Sequence, residues 1–363
     1  MKIKANIFGS GTMRSGGSLH NNLISSHKDI IIVHDNLHFF RHIYDNYKPI
    51  NKISNLYKLA GELSIRLKFR SNLTIDKKLF FNSLLEAKPN NYSDVHAALL
   101  NVFLKEIGNK KIIGEYANGE FSKITTFLNF NPHNIAYHVF RDPRGMLMSW
   151  KRITFSKGYR YLNSIFNWID AVDHAMFNEK KFGKKRFLIL KFEDTHLNPE
   201  KTAKKICRFF KVKYDEEMID TKKMKKKLNK EYNFINISAY TNKNVYGFSK
   251  ERISTWKNHI EEWEHELVDY LCKTRMKKMG YKVKFNKYPQ KGLKIMRADT
   301  LLKKRLAVFL KLNKGTDAKL NDPSNPKNWE AGETSGTKFI DSPDFIKYNK
   351  AIKKIHEESK KFK

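Results

Sequence analysis

The sequence predicts an α/β protein in which helices flank a central parallel sheet of about five strands. Continuous apolar runs, typical of parallel strands covered on both faces, occur at 3–8, 30–33, 111–114, 135–140 and 187–191. Segments with helical spacing lie between them, for example at 19–26, 95–107 and 161–182. Strands that alternate with helices indicate three layers around a parallel sheet.

The chain divides by composition near residue 285. Residues 1–285 are predicted to form the main domain, with a largely helical insertion at about 51–107 and amphipathic helices at 200–210 and 262–279. Residues 286–363 are Lys-rich and interrupted by Pro and Gly, which predicts a peripheral, partly flexible C-terminal extension.

The charge balance is strongly basic, with 71 Lys and Arg against 37 Asp and Glu and a net charge of +34. Such a surplus attracts any polyanion and permits contact with an anionic membrane surface, but Lys-rich composition alone names no partner. No nucleic-acid-binding motif is present. There is no apolar run of about 18 residues and no signal-peptide core, so a cytoplasmic location is expected.

A glycine-rich segment, "FGSGTMRSGGSLHNN" at 8–22, directly follows the first strand. It is close to the sequence motif of a nucleotide-binding P-loop, but Gly17 occupies the position of the motif's lysine. Backbone N–H groups at the start of the next helix, together with Arg14, Ser15 and Ser18, provide donors for a phosphate. The segment therefore predicts a P-loop-like fold whose loop holds a phosphate without the Lys and Mg²⁺ of an NTPase.

A second segment, "AYHVFRDPRGMLMSWKR" at 136–152, is a buried strand that delivers Arg141 at its C-terminal end. Ser149 follows eight residues later, on the helix that Pro143 helps to start. Ligands of open α/β sheets bind at the C-terminal ends of the strands, so Arg141 and the glycine-rich loop are expected to converge. Asp142 is predicted to cap the helix or to anchor Arg144.

These segments resemble the sulfotransferases that use 3′-phosphoadenosine 5′-phosphosulfate (PAPS). The residues similar to that family's 5′-phosphosulfate loop are Arg14, Ser15, Gly16, Gly17, Ser18 and Leu19, and Arg141 through Ser149 resemble its 3′-phosphate segment. Residues 187–212 look like its late strand and helix, and 249–260, with Trp256 and Lys257, like the loop that closes over the nucleotide. The resemblance implies metal-independent sulfuryl transfer from PAPS, release of 3′-phosphoadenosine 5′-phosphate (PAP), and a role for Arg14 in stabilising the departing phosphate.

Sulfuryl transfer to a hydroxyl needs a base, and two segments offer one. "SSHKDIIIVHDNLHFF" places His34, Asp35 and His38 just beyond the second strand, where Asp35 resembles the catalytic Glu position of tyrosylprotein sulfotransferases. "KKIIGEYANGEFSKI" contains Glu115, which is either catalytic or a buried structural partner. Asp35 is the first candidate, with His34 and Glu115 as the others.

The acceptor is expected to be a hydroxyl of a carbohydrate or glycolipid, ahead of a peptide tyrosine. Its pocket is expected to be shaped by the insertion at 51–107 and by a loop at 232–248. Two other classes remain open: a P-loop kinase or NTPase with a degenerate loop, which lacks the lysine at position 17, and a basic nucleic-acid-binding protein, which lacks a motif.

Overall fold

The computed structural model of the protein describes residues 4–71, 73–107, 110–153, 158–221, 248–316 and 343–362. The loop predicted at 232–248 lies outside the described residues except for its last residue. Residues 317–342 of the predicted extension also lie outside them.

Within the described residues, five strands form one parallel sheet in the order β2-β3-β1-β4-β5. Their bounds are β1 Lys4–Gly11, β2 Ile30–His34, β3 Ile112–Asn118, β4 Ile135–Phe140 and β5 Phe187–Lys191. β1 is the central strand of this order, between β3 and β4. All five residues of β2 are buried, as expected for a strand covered on both faces. The predicted α/β class is confirmed.

Helices connect the strands and follow the last of them. Their bounds are α1 Gly17–Ser25, α2 Phe39–His42, α3 Ile53–Ser71, α4 Lys77–Ala87, α5 Tyr92–Ile107, α6 Ile124–Phe130, α7 Pro143–Ile153, α8 Asn163–Phe182, α9 Phe192–Leu197, α10 Pro199–Phe210, α11 Glu251–Ser254, α12 Glu262–Lys278, α13 Gln290–Ala298, α14 Thr300–Leu312 and α15 Pro343–Ser359. Helices α3, α4 and α5 occupy the interval of the predicted insertion. No helix among the described residues is long and apolar enough to cross a membrane.

The chain forms two compact units. The first contains Met1–Gly9, Lys28–Ala136 and the described part of Pro323–Lys363; the second contains Ser10–His27 and the described part of Tyr137–Asp322. In the first unit, α15 packs on α3 at Gly61, where a Cβ would lie 2.6 Å from Ile355. A glycine is therefore required for this close approach. The sequence-based boundary between a main domain at 1–285 and an extension at 286–363 stays a prediction.

Two helices of the C-terminal extension, α13 and α14, belong to the second unit. Asp299 caps α14 by accepting hydrogen bonds from the backbone N–H groups of Leu301 and Leu302. Beyond α14, the buried carboxylate of Asp170 on α8 accepts from the N–H groups of Gly315 and Thr316. The two bonds to Asp170 attach the segment that follows α14 to α8.

Candidate active site

The glycine-rich loop of the second unit joins β1 to α1 through two left-handed residues. Arg14 has φ 69° and Gly16 has φ 99°. A Cβ on Gly16 would lie 2.6 Å from the ring of Phe192, so glycine is needed for both conformation and space. The helix begins at Gly17, and its first N–H groups have no partner within the helix. The loop therefore presents backbone donors and a positive helix end to an anion.

Ser15 and Arg14 supply the side-chain donors of this loop. Ser15 is fully buried, and its hydroxyl has no hydrogen-bond partner among the described residues. A buried, unsatisfied hydroxyl costs about 1–3 kcal/mol, which a bound anion would relieve. The Nε of Arg14 donates to the hydroxyl of Ser149 at 2.9 Å, so the first residue of one predicted motif contacts the last of the other.

Arg141 lies on the aromatic ring that also touches the loop. Its guanidinium carbon is 4.3 Å from the centroid of the Phe192 ring, a cation–π contact. The same ring also lies against Gly16, so Phe192 brings the two predicted phosphate motifs together. Gly145, one helical turn after Arg141, leaves room for the guanidinium, because a Cβ there would lie 2.8 Å from Nε of Arg141.

Asp142 has the two structural roles that the sequence predicts. Its carboxylate caps α7 by accepting from the N–H of Arg144 at 2.9 Å, and it accepts two hydrogen bonds from the Arg144 guanidinium at 2.8 and 2.6 Å. Burial opposes the charge of Arg144, but Asp142 and Asp269 raise its pKa above the usual value. The same guanidinium lies 4.3 Å from the Trp256 ring, which is buried, whereas Lys257 is exposed.

His196 and Arg252 are candidate donors that sequence reasoning missed. The Nδ1 of His196 accepts from the N–H of Ser249 at 2.9 Å, so the neutral ring carries its proton on Nε2, which has no partner among the described residues. Burial lowers the pKa of His196 to about 3, and the nearby Arg252 adds to the effect. A buried guanidinium nitrogen of Arg252 is also unpartnered there, and its backbone carbonyl accepts from Arg141 at 3.5 Å.

The sequence carried a signal for both residues. Arg252 stands four positions before Trp256 in the segment already singled out, and His196 stands one helical turn after Phe192 in α9. The ring of His196 is 4.3 Å from the ring of Phe192. With Ser15, these residues give the second unit three buried hydrogen-bond donors without partners in the described part of the chain. A polar ligand rich in acceptor oxygens fits this set.

Asp35 lies in the first unit, in a left-handed turn after β2, with φ 52°. Its Oδ1 accepts from the backbone N–H of Asn118 at 2.8 Å, its Oδ2 accepts from the Asn118 side-chain amide, and Nε2 of His34 lies 3.2 Å from Oδ2. Burial would raise the pKa of Asp35, but His34, His38 and Asn118 together hold it well below its usual range. Asp35 is therefore ionised and already saturated with donors.

His38 links Asp35 to a carboxylate that the sequence did not single out. Its backbone is also left-handed, with φ 46°. Nδ1 of His38 lies 3.0 Å from a carboxylate oxygen of Glu120, and Nε2 lies 3.7 Å from Oδ1 of Asp35. Glu120 is fully buried, and its other oxygen accepts from the N–H of Phe40 at 3.2 Å. The missed signal was the position of Glu120, just beyond the strand adjacent to β2.

Glu115 is a buried structural partner, one of the two roles that the sequence left open. It is fully buried in β3, opposite Val33 of β2. One oxygen accepts from the N–H of Phe39 at 2.9 Å, and the other lies 3.0 Å from Nε2 of His96. The bond from Phe39 fixes the start of α2, next to His38, and the bond to His96 joins β3 to α5. A catalytic role for Glu115 stays a prediction.

The fold and the loop define a P-loop-like α/β protein with a glycine-rich loop after its first strand. Among the described residues, no group of three or more His, Cys, Asp or Glu side chains has the arrangement of a metal site. The sequence model of the Sulfotransferase family matches residues 6–216, more than half of the chain, and the protein belongs to that family. The resemblance to sulfotransferases is confirmed.

Comparison with curated proteins gives no match. Three solved structures are similar to this chain. The sulfotransferase domain of the olefin synthase from Synechococcus PCC 7002 is 15% identical, with a TM-score of 0.49 over 78% of this chain and 97% of that one. Sulfotransferase STF9 from Mycobacterium avium is 10% identical, with a TM-score of 0.39 over 79% of each chain. Mouse sulfotransferase SULT7A1, complexed with PAP, is 13% identical, with a TM-score of 0.38 over 76% and 85%.

Proposed function

We propose that the protein transfers the sulfuryl group of PAPS to a hydroxyl of an acceptor, with a carbohydrate or glycolipid favoured over a peptide tyrosine. The observation that carries the proposal is the meeting of the two phosphate motifs around Phe192. The ring lies next to both Gly16 and the guanidinium of Arg141, and the buried hydroxyl of Ser15 lacks a partner in the described part of the chain. When bound, PAPS supplies the sulfuryl group and leaves as PAP.

The residues of the second unit divide the work of holding a donor with two phosphate groups. Arg14, Ser15 and the N–H groups at the start of α1 would hold the 5′ end, where negative charge increases as the sulfuryl group departs. Donors already aimed at that charge lower the barrier, because they need no reorganisation during the reaction. Arg141 and Ser149 would hold the 3′-phosphate.

His196 and Arg252 extend this donor set with one N–H group each, and Trp256 and Lys257 would close over the nucleotide.

The first unit contains the candidate bases for a hydroxyl proton in one cluster, His34, Asp35 and His38. A carboxylate with a strongly lowered pKa is a weak base, so we assign proton uptake to His38 and give Asp35 the task of stabilising the resulting imidazolium. Glu120 orients the ring through Nδ1, which leaves Nε2 as the basic nitrogen. In the transfer, a bond forms between sulfur and the acceptor oxygen while the bond between sulfur and the phosphate oxygen breaks.

Donor binding is tested by calorimetry with PAP in the absence of Mg²⁺. We expect PAP to bind to the wild type. Arg141→Ala should weaken PAP binding about 10- to 100-fold, because a charge-assisted contact is lost. The control is Arg208→Ala, at an exposed arginine on α10, which should leave PAP affinity unchanged. Binding of Mg-ATP in preference to PAP would support the NTPase class, and binding of DNA alone the nucleic-acid class. Labelled PAPS presented with candidate glycans then tests transfer itself.

A further inference from the structure

The first unit contains a surface cavity that the donor and base sites do not use. Its volume is about 550 Å³. Its lining includes an aromatic wall of Tyr44, Tyr92 and Phe130 and a polar rim of the exposed asparagines Asn51 and Asn90. Residues 51 and 90–92 of the lining belong to the helical insertion at about 51–107, which the sequence predicts to help to shape the acceptor pocket.

The aromatic wall is preformed by its own packing. The Tyr44 ring lies 5.0 Å from that of Tyr92 and 5.6 Å from that of Phe130, at interplanar angles of 60° and 40°. Phe40 supports both Tyr44 and Phe130 from behind, at 5.3 and 5.9 Å. The three wall rings are only partly buried, so they offer flat apolar surface to a ligand without first having to rearrange.

The cavity is built on the same segment as the proposed base. α2 begins directly after His38, and the N–H of Tyr44 donates to the carbonyl of Phe39 at 2.8 Å as the helix ends. His38 and Tyr44 are six positions apart in the chain, with the four residues of α2 between them. An acceptor longer than one ring could therefore occupy the cavity while another of its hydroxyls reaches His38.

The polar rim determines the class of ligand. An asparagine amide offers both a donor and an acceptor, as a sugar hydroxyl does. Asn91 caps α5 by accepting from the N–H groups of Ser93 and Asp94, which fixes its amide at the rim. Lys48 of the lining is paired with Asp45 at 2.5 Å, and Lys123, which does not line the cavity, lies 5.5 Å from the centroid of the Tyr44 ring. This lining favours a neutral ring bearing hydroxyls over a phosphate or an acidic peptide.

We propose that this cavity is a carbohydrate subsite that holds a neutral sugar ring of the acceptor against Tyr44, Tyr92 and Phe130. The proposal rests on the proposed sulfotransferase function, whose acceptor it defines. The apolar face of the sugar would cover the aromatic wall, while its hydroxyls exchange hydrogen bonds with the amides of Asn51 and Asn90. Specificity would come from the amides, because a ligand without hydroxyls would leave them unpaired.

The test measures sugar binding in the full-length protein without nucleotide. Neutral di- and trisaccharides of glucose, galactose, mannose and N-acetylglucosamine are titrated by ligand-observed NMR. We expect at least one to bind, and Asn51→Ala and Asn90→Ala each to weaken it about 5-fold, the effect of losing one neutral hydrogen bond. Both residues are exposed, so the fold is not at risk. Asn46→Ala, an exposed asparagine on the same connection that does not line the cavity, should bind as the wild type does.

Three results would overturn the subsite: no saccharide of the panel binds, the bound saccharide is insensitive to both cavity variants, or an acidic tyrosine peptide binds the cavity in its place. PAP affinity, measured in the same variants, should be unchanged. Failure of the wild type to bind PAP would instead refute the donor assignment, and the sugar titration would remain interpretable.

Discussion

Replacing Gly145 with alanine should separate nucleotide binding from stability, because we expect PAP affinity to fall while the free energy of unfolding stays nearly unchanged. Gly145 lies in the first turn of α7, where its backbone is helical. A Cβ there would stand 2.8 Å from Nε and 3.4 Å from Cζ of Arg141, closer than those atoms can tolerate. The guanidinium is the movable end of a long side chain, so it should leave the Phe192 ring while the helix stays in place.

The magnitudes follow from these contacts. An alanine in a helix is more stable than a glycine by about 0.5–1 kcal/mol, because glycine loses more backbone freedom on folding. That gain is offset in part by the lost cation–π contact with Phe192, which contributes about 0.5–1 kcal/mol at a partly exposed site. The free energy of unfolding should therefore change by less than about 1 kcal/mol. A displaced Arg141 loses a charge-assisted contact of about 1.5–3 kcal/mol, which corresponds to a PAP affinity about 10- to 100-fold lower.

Calorimetric titration with PAP and urea unfolding of the same samples measure the two effects. In a double-mutant cycle, Gly145→Ala should weaken PAP binding in the wild type but add nothing in Arg141→Ala, because it acts only through Arg141. Wild-type affinity in Gly145→Ala would show that the stacked position of Arg141 is not its binding position. An equal further loss in the Arg141→Ala background would show that Gly145 acts on the nucleotide by another route.

Three further predictions concern the base, the loop and pH. His38→Ala and Asp35→Asn should each slow sulfate transfer by at least about 10²-fold with PAP affinity unchanged; normal turnover in His38→Ala alone would make Asp35 the base. Gly16→Ala should lower the free energy of unfolding by about 1–3 kcal/mol, because the residue has φ 99° and its Cβ would clash with the Phe192 ring. An unchanged midpoint of urea unfolding would contradict this prediction. Acid should destabilise the second unit through three imidazoles whose pKa burial lowers to about 4, 3 and 3: His20, His138 and His196. In the unfolded chain these histidines take up protons below pH ~6.5. The free energy of unfolding should therefore fall between pH 6.5 and 4, by up to about 1.4 kcal/mol per pH unit for each histidine. A free energy of unfolding that does not change over this range would mean that the histidines are also protonated in the folded state.

The sheet and the phosphate loop could be predicted because their physics is local. A buried parallel strand must be a short continuous apolar run, and all five such runs became strands. A turn that brings a helix N-terminus close to an aromatic ring needs glycine, and Gly16 is present in the motif. The caps are local as well: Asp142 precedes Pro143 at the start of α7 and bonds to Arg144, as its sequence position indicates.

The rest of the site depends on contacts between distant residues, which spacing does not encode. Glu120 and His38 are 82 positions apart, and nothing in either segment alone pairs them. Nε2 of His196 carries the ring proton because the N–H of Ser249, 53 positions later, donates to Nδ1. Similarly, the motif left Glu115 open between a catalytic and a structural role, and its spacing does not show that His96 from α5 contacts one carboxylate oxygen. Long-range pairing of this kind decides protonation and therefore chemistry.

The backbone gives an independent indication of where the chemistry lies. Among the described residues, seven other than glycine have a positive φ, a conformation that costs about 1–2 kcal/mol for an L-residue. Those at 88, 211 and 313 follow the last residues of α4, α10 and α14, where a left-handed residue is the ordinary way to end a helix. The remaining four have no such explanation: Arg14, Asp35, His38 and Asp45. Arg14 is in the phosphate loop, Asp35 and His38 form the proposed base cluster, and Asp45 neutralises the lysine at the rim of the carbohydrate cavity. Strain that persists at four such positions must be offset by the surrounding contacts, as the bonds of Asp35 to Asn118 illustrate.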